Sequence, residues 1–271
     1  MAVTFRYDNR EAMVVGDAIV VEAAATLPSG SYTTLRTYGG NGVVRLEQHV
    51  RRLIDSLPAE VAFRGASLDS AAVRPALARA LRETGNAESR VRITYAPPAV
   101  FLTVEPFTPL DESMRQQGVA CVTVPARRER PEAKDTRFLA TARAAYAGLP
   151  AGIHEGLLVG EDGAILEGLS SNFFAVHEGT LRTEETRALR GVTRSVVLEI
   201  AARILPRGEG AMRLDDIGVA EECFITSVSR EVLPVVRVDG VVIGDGAAGP
   251  VTREIIRRFE AAIENELERL P

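Results

Sequence analysis

Strand-like and helix-like segments follow one another in an irregular order, and that order is what most limits the fold of this chain. Ala12 to Val21 is β-branched and apolar and reads as strand. Tyr32 to Tyr38 reads as a strand closed by the turn Gly39-Gly-Asn-Gly42. Leu46, Val50, Leu53, Ile54 and Leu57 recur at helical spacing, and a second helix is expected from Ser70 to Glu83. Val91 to Tyr95 and Val100 to Val104 read as a hairpin around Pro97-Pro98. The Pro-rich, polar stretch from Glu105 to Ser113 reads as a linker and predicts domains of 1–112 and 113–271. Beyond it the pattern predicts a strand at Val119 to Val124, a charged loop, and a helix near Arg137 to Ala147. Short strands follow, interrupted by a helix opened by Gly191 and closed by a helix from Val251 to Leu267. Helices and strands do not alternate regularly, which argues against a doubly wound parallel sheet and for two α+β domains.

The charge balance narrows function. The formal net charge is −5 with both signs mixed along the chain, whereas a nucleic-acid surface needs clustered positive charge. Cys121 and Cys223 lie in apolar runs and read as buried strand residues, and His49, His154 and His177 lack metal-ligand spacing, so no metal is expected. The first residues lack a basic start followed by an apolar core, and no apolar run is long enough for a bilayer; the expected location is cytoplasmic, with no membrane partner.

Lys134 is the only lysine among 32 Lys+Arg. Arginine replaces lysine wherever a solvated cation suffices. It cannot replace an amine that must lose a proton and attack a carbonyl, because guanidinium stays protonated. A lone lysine is therefore a candidate Schiff-base lysine, the kind that holds pyridoxal 5′-phosphate. Such a site needs a carboxylate for the ring nitrogen and backbone N–H groups with a cation for the phosphate. Glu167 ends a strand beside Gly168-Leu-Ser-Ser-Asn172 and suits the first need. Arg190-Gly-Val-Thr-Arg194 opens a helix, where free N–H groups and the dipole favour an anion; capping by Thr193 is the alternative reading. Thr226-Ser-Val-Ser229 ends a strand rich in hydroxyls.

Taken in order, Tyr32 to Tyr38, Arg45-Leu-Glu-Gln-His-Val-Arg-Arg-Leu53, Lys134, Glu167 to Asn172, Arg190 to Arg194 and Thr226 to Ser229 resemble the class IV, or fold type IV, pyridoxal phosphate enzymes. That family includes branched-chain and D-amino-acid aminotransferases, (R)-selective amine transaminases and 4-amino-4-deoxychorismate lyases. The resemblance implies a small N-terminal α/β domain and a larger, β-barrel-like C-terminal domain with helices. It implies a homodimer that moves an amino group between an amino acid or amine and a 2-oxo acid. Lyase activity with release of pyruvate, and cofactor binding with little catalysis, are the alternatives. Lys134 is then the Schiff-base lysine and proton carrier, and Glu167 the partner of the ring nitrogen. Arg52, Val192, Thr193, Ser227 and Val228 bind the phosphate. Helical position alone does not choose Arg52 over Arg51, and Val228 departs from the Thr often found there.

Strand alternation puts Tyr32, Thr34, Arg36 and Tyr38 on one face. The family lines its substrate pocket with this strand, which makes Tyr32 and Arg36 candidates for a substrate carboxylate, with Arg92 as a second cation. Two family patterns are missing. The Arg-x-His loop of the D-amino-acid enzymes is reduced to Ala96-Pro-Pro-Ala99, and Tyr-Thr-Thr-Leu-Arg36 replaces the acidic and glycine pattern of the branched-chain enzymes.

Overall fold

A five-stranded sheet and a closed barrel account for most of the strands, and each belongs to its own unit. The computed structural model describes residues 2–10, 13–21, 28–58 and 66–271. The first unit gathers Met1–Pro109, Ala133–Arg137 and Asn265–Pro271; the second gathers Leu110–Glu132 and Phe138–Glu264. The expectation of contiguous domains, 1–112 and 113–271, differs from this grouping in the two later segments that join the first unit.

In the first unit, β1 (Val3–Arg10), β2 (Met13–Val21), β3 (Ser31–Arg36), β5 (Ser89–Ala96) and β6 (Ala99–Pro106) form an antiparallel sheet in the order β2-β1-β6-β5-β3. Ala12, expected in the second strand, lies outside the described residues. The hairpin of β5 and β6 is as expected, with Ala96 opposite Ala99 and a cis peptide between Pro97 and Pro98. Alternation gives the sheet two unlike faces. Leu35, Val91, Ile93, Leu102 and Val104 are buried in one core with residues of α1 (Leu46–Asp55) and α2 (Ser70–Thr84). The other face carries Tyr32, Thr34 and Arg36 opposite Thr94, Arg92 and Arg90. α2 starts at the Asp69 cap and stops at Gly85, whose φ of 61° is the left-handed value glycine favours. β4 (Gly42–Val44) pairs with β15 (Leu267–Arg269), where the sequence pattern predicts only the end of the last helix.

In the second unit the expected linker already contains the start of a short helix, α3 (Glu112–Gln117), capped by Asp111. The barrel strands are β7 (Val119–Thr123), β8 (Ile153–Val159), β9 (Ile165–Gly168), β10 (Asn172–His177), β12 (Glu222–Ser227) and β13 (Glu231–Val238). They pair in the order β10-β12-β13-β7-β8-β9, and β9 pairs back with β10, which closes the barrel. β11 (Thr180–Arg182) and β14 (Val241–Val242) flank it. Cys121 and Cys223 are free thiols in the apolar core among Leu157, Phe173 and Ile225, and burial pushes both thiols up in pKa. β7 and β8 are parallel, so the chain must cross over between them. That crossover includes Ala133–Arg137, which belongs to the first unit, and α4 (Phe138–Ala147), which belongs to the second.

One buried carboxylate ties the second unit's loops together. Glu155, on β8, is fully buried. It accepts hydrogen bonds from Tyr146 Oη (2.6 Å), Ser171 Oγ (2.9 Å), its neighbour Gly156 N (3.0 Å) and Arg230 Nη1 (3.1 Å). Those partners lie on α4, on the loop after β9 and on the turn between β12 and β13. Burial pushes the Tyr146 phenol up to about 12, so it stays protonated and donates at neutral pH. Removing one member of a buried charge pair costs about 3–5 kcal/mol, because the other is left uncompensated. Glu155→Ala is expected to lower unfolding stability by that amount in urea titration; a loss under about 1 kcal/mol, the range of an exposed pair, would show that the network is not a clamp.

Candidate active site

In the first unit Lys134 is held by its backbone at both sides. Its N–H donates to Ser56 Oγ at 3.0 Å, and its carbonyl accepts the Tyr32 N–H at 2.8 Å. The next turn is held as well: Thr136 N donates to Gly30 O, and Gly30 N donates to Thr136 Oγ1. Gly30 admits no side chain, since a Cβ would lie 2.3 Å from Tyr95 O. The Lys134 ammonium nitrogen sits 4.8 Å from the centre of the Tyr32 ring. α1 ends at Asp55 rather than at Leu57: the Leu57 N–H bonds three residues back to Ile54 O, which tightens the last turn, and the Ser56 hydroxyl just past the helix accepts the Lys134 amide.

The two adjacent arginines of α1 separate by environment. Arg51 is exposed and pairs with Glu47 one turn earlier at 2.9 Å. Arg52 turns to the sheet and donates from Nη2 to Thr33 Oγ1 at 2.6 Å. The two substrate candidates also separate. Arg36 is buried, its guanidinium stacked on Tyr38 at 4.3 Å and on Phe107 at 4.8 Å. Arg92 lies 5.6 Å from the Tyr32 ring, and its buried Nε has no hydrogen-bond partner. Beside it on the same face, the fully buried Thr94 hydroxyl is also without a partner.

In the second unit Glu167 is buried and holds an ion pair with Arg128 at 3.0 Å, the Arg128 guanidinium resting on the Phe138 ring at 4.2 Å. Glu167 Oε2 accepts the Leu189 N–H at 3.0 Å. Asn172 Nδ2 donates to Leu189 O at 2.7 Å, and the Gly191 N–H donates to the same carbonyl at 2.8 Å. This tight turn starts α5 (Val192–Ala201) at Gly191, with no side-chain cap. Thr193 therefore lies inside the first turn, and the capping alternative does not apply. α6 (Pro250–Glu266) begins differently: the Glu222 carboxylate accepts the Val251 and Thr252 N–H groups at 2.9 and 2.7 Å. One helix start is already served by an anion of the protein, and at the other no side chain among the described residues caps the backbone donors. Ser227 ends β12, Val228 opens the following turn, and Ser227 Oγ accepts the Arg230 N–H at 3.2 Å. The adjacent Thr226 hydroxyl is buried without a partner.

These residues suit pyridoxal 5′-phosphate. The first unit supplies an amine on a fixed backbone and a guanidinium. The second supplies a buried carboxylate, which has about four acceptor positions and so can serve a ring nitrogen besides its protein partners. It also supplies an uncapped helix start and a buried hydroxyl with spare capacity. Sequence reasoning missed Arg128, Leu189 and the tie between Asn172 and Leu189. Arg128 sits in a run of charges that reads as solvated, and the other two act through backbone contacts to which no side-chain pattern points.

The model of the amino-transferase class IV family matches residues 30–238, well over half of the chain. The chain belongs to the class IV aminotransferases. The branched-chain-amino-acid aminotransferase of Pseudomonas aeruginosa is 26% identical over 266 residues, covering 88% of this chain and 85% of that protein. The D-alanine aminotransferase of Bacillus licheniformis is 29% identical over 255 residues, covering 88% of each. The solved branched-chain amino acid aminotransferase of T.th., complexed with N-(5′-phosphopyridoxyl)-L-glutamate, superposes with a TM-score of 0.79 at 23% identity and 98% coverage of both chains. The fold is therefore the class IV aminotransferase fold, including the barrel-like closed sheet.

A Cβ at Gly191 would lie 2.4 Å from Asn172 Oδ1, so a side chain there must displace the turn that sets the helix start. Gly191→Ala is expected to weaken pyridoxal phosphate binding by about tenfold in a spectral titration of the apoenzyme. An unchanged dissociation constant would remove this helix start from the cofactor site.

Proposed function

We propose that this class IV aminotransferase uses pyridoxal 5′-phosphate, held on Lys134, to move an amino group from an amino acid or amine to a 2-oxo acid. The observation that carries the proposal is the single lysine of the chain with both its N–H and its carbonyl tethered, one to the residue after α1 and one to β3. When bound, the cofactor supplies an aldehyde carbon and an electron-withdrawing ring. Lys134 Nζ would hold the cofactor through that carbon, and the same amine, released when the substrate's amino group takes its place there, would move the proton at the substrate α-carbon, with its reach set by the tethered backbone. Glu167, oriented by Arg128 and Leu189 N–H, keeps a proton on the ring nitrogen. Arg52, the N–H groups of Val192 and Thr193, and the strand end at Ser227 and Val228 hold the phosphate. Tyr32 and Arg92 receive the substrate carboxylate; Arg36, sandwiched between two rings, backs the same sheet face. Relatives acting on branched-chain amino acids and on D-alanine match to a similar degree, so the donor is assigned by experiment. The same reading has the enzyme act as a cytoplasmic homodimer.

The test is a half-reaction panel with L- and D-amino acids and (R)- and (S)-amines. Transamination converts the bound cofactor to its pyridoxamine form, whereas pyruvate release from aminodeoxychorismate without an acceptor marks the lyase. No spectral change with any donor leaves only a cofactor-binding protein and defeats the proposal. Borohydride reduction and peptide mapping are expected to place the pyridoxyl label on Lys134, and Lys134→Ala to abolish both label and turnover; a label elsewhere overturns the assignment. Arg92→Gln is expected to raise KM for amino acid donors about tenfold or more with a smaller change in kcat, because a charged hydrogen bond to the substrate is lost. An unchanged KM would remove Arg92 from the carboxylate site.

A further inference from the structure

Thr33 lies on the core face of β3, fully buried, with two polar neighbours. Its Oγ1 is 2.6 Å from Arg52 Nη2 and 2.7 Å from His49 Nδ1. A guanidinium only donates, so toward Arg52 the hydroxyl is the acceptor. Its single proton can then go to His49 Nδ1, the arrangement in which the imidazole is neutral with its proton on Nε2. Burial is the first cause of a His49 pKa well below 6.5, followed by the charges of Arg52 and Lys134, which agrees with a neutral ring. His49 and Arg52 are three residues apart on α1, hence on one face of the helix. In that arrangement the three side chains form a directed chain in which His49 orients Thr33 and Thr33 orients Arg52.

We propose that Thr33 and His49 are positioning residues for the phosphate of the cofactor, acting through Arg52. The inference rests on Arg52 holding that phosphate. Without the Thr33 acceptor the guanidinium keeps its charge but loses a 2.6 Å bond that helps orient its fork. Without the His49 acceptor the Thr33 proton has no partner, and the hydroxyl is free to rotate its lone pairs away from Arg52.

The test compares pyridoxal 5′-phosphate with pyridoxal, which offers the same aldehyde and ring but no phosphate. Binding to the apoenzyme is measured by spectral titration for wild type, Thr33→Val, Thr33→Ser and Arg52→Gln. Thr33→Val, close in shape but without the hydroxyl, is expected to weaken phosphate-ester binding about tenfold and leave pyridoxal binding unchanged. Thr33→Ser is expected to restore the wild-type ratio. Equal weakening of both ligands, or of neither, by Thr33→Val overturns the proposal, since a merely structural role does not distinguish them. If Arg52→Gln itself leaves the ratio unchanged, the assignment of Arg52 to the phosphate fails first, and the proposal with it. Should Thr33→Val not fold, His49→Asn against His49→Leu repeats the comparison. Asn keeps an acceptor near the Nδ1 position and is expected to retain the ratio, and Leu to lose it; identical ratios in the two variants overturn the proposal.

Discussion

The hydrogen bond from Tyr32 N–H to the Lys134 carbonyl carries more consequence than its single 2.8 Å length suggests. Lys134 lies in the crossover that joins two parallel strands of the barrel, a stretch with no ladder of its own. Left to itself it would be an ordinary loop, and a lysine on a loop has several rotatable bonds and no fixed reach. Tying its backbone to β3 and to the end of α1 turns a flexible amine into one with a defined origin. A proton carrier must approach one atom repeatedly, and the tether makes that geometry a property of the fold.

The second unit solves a related problem with anions. Two of its helix starts show the contrast. At α6 the protein supplies the charge itself, from Glu222, and the result is structural. At α5 glycine takes the cap position and the Asn172 amide holds the preceding turn, so the donors face outward without an internal acid. Glu167 is likewise a buried acid, oriented by an ion pair with Arg128 and by the backbone N–H of Leu189. Both Glu167 and α5 depend on the turn around Leu189, so the proposed ring and phosphate contacts are set by one short segment. The Glu155 network then ties together α4, the loop after β9 and the turn after β12.

Much of this was legible in the residues. The helix of Leu46 to Asp55, the Pro97-Pro98 hairpin and the strand that carries Glu167 follow from period, turn chemistry and β-branching. Other elements were not. Val3–Arg10 pairs with both the next strand and β6, and the short strands at Gly42–Val44 and Leu267–Arg269 exist because they pair with each other across the chain, which no local pattern reports. The domain grouping escaped for the same reason. Nothing local in Ala133–Arg137 shows that the crossover bonds to the first unit.

By itself the sequence determined the chemistry available: a single amine able to attack a carbonyl, an acid beside a small-residue turn, a glycine at a helix start. These are properties of residue types and of near neighbours, which a linear pattern carries. Tertiary structure alone decided which of two adjacent arginines turns inward, which sheet-face cation keeps spare donors, and that His49 is buried against the hydroxyl that meets Arg52. Those are outcomes of burial and of contacts between remote segments. The free energy of a buried polar group depends on what faces it, and that is set only when the chain has closed on itself.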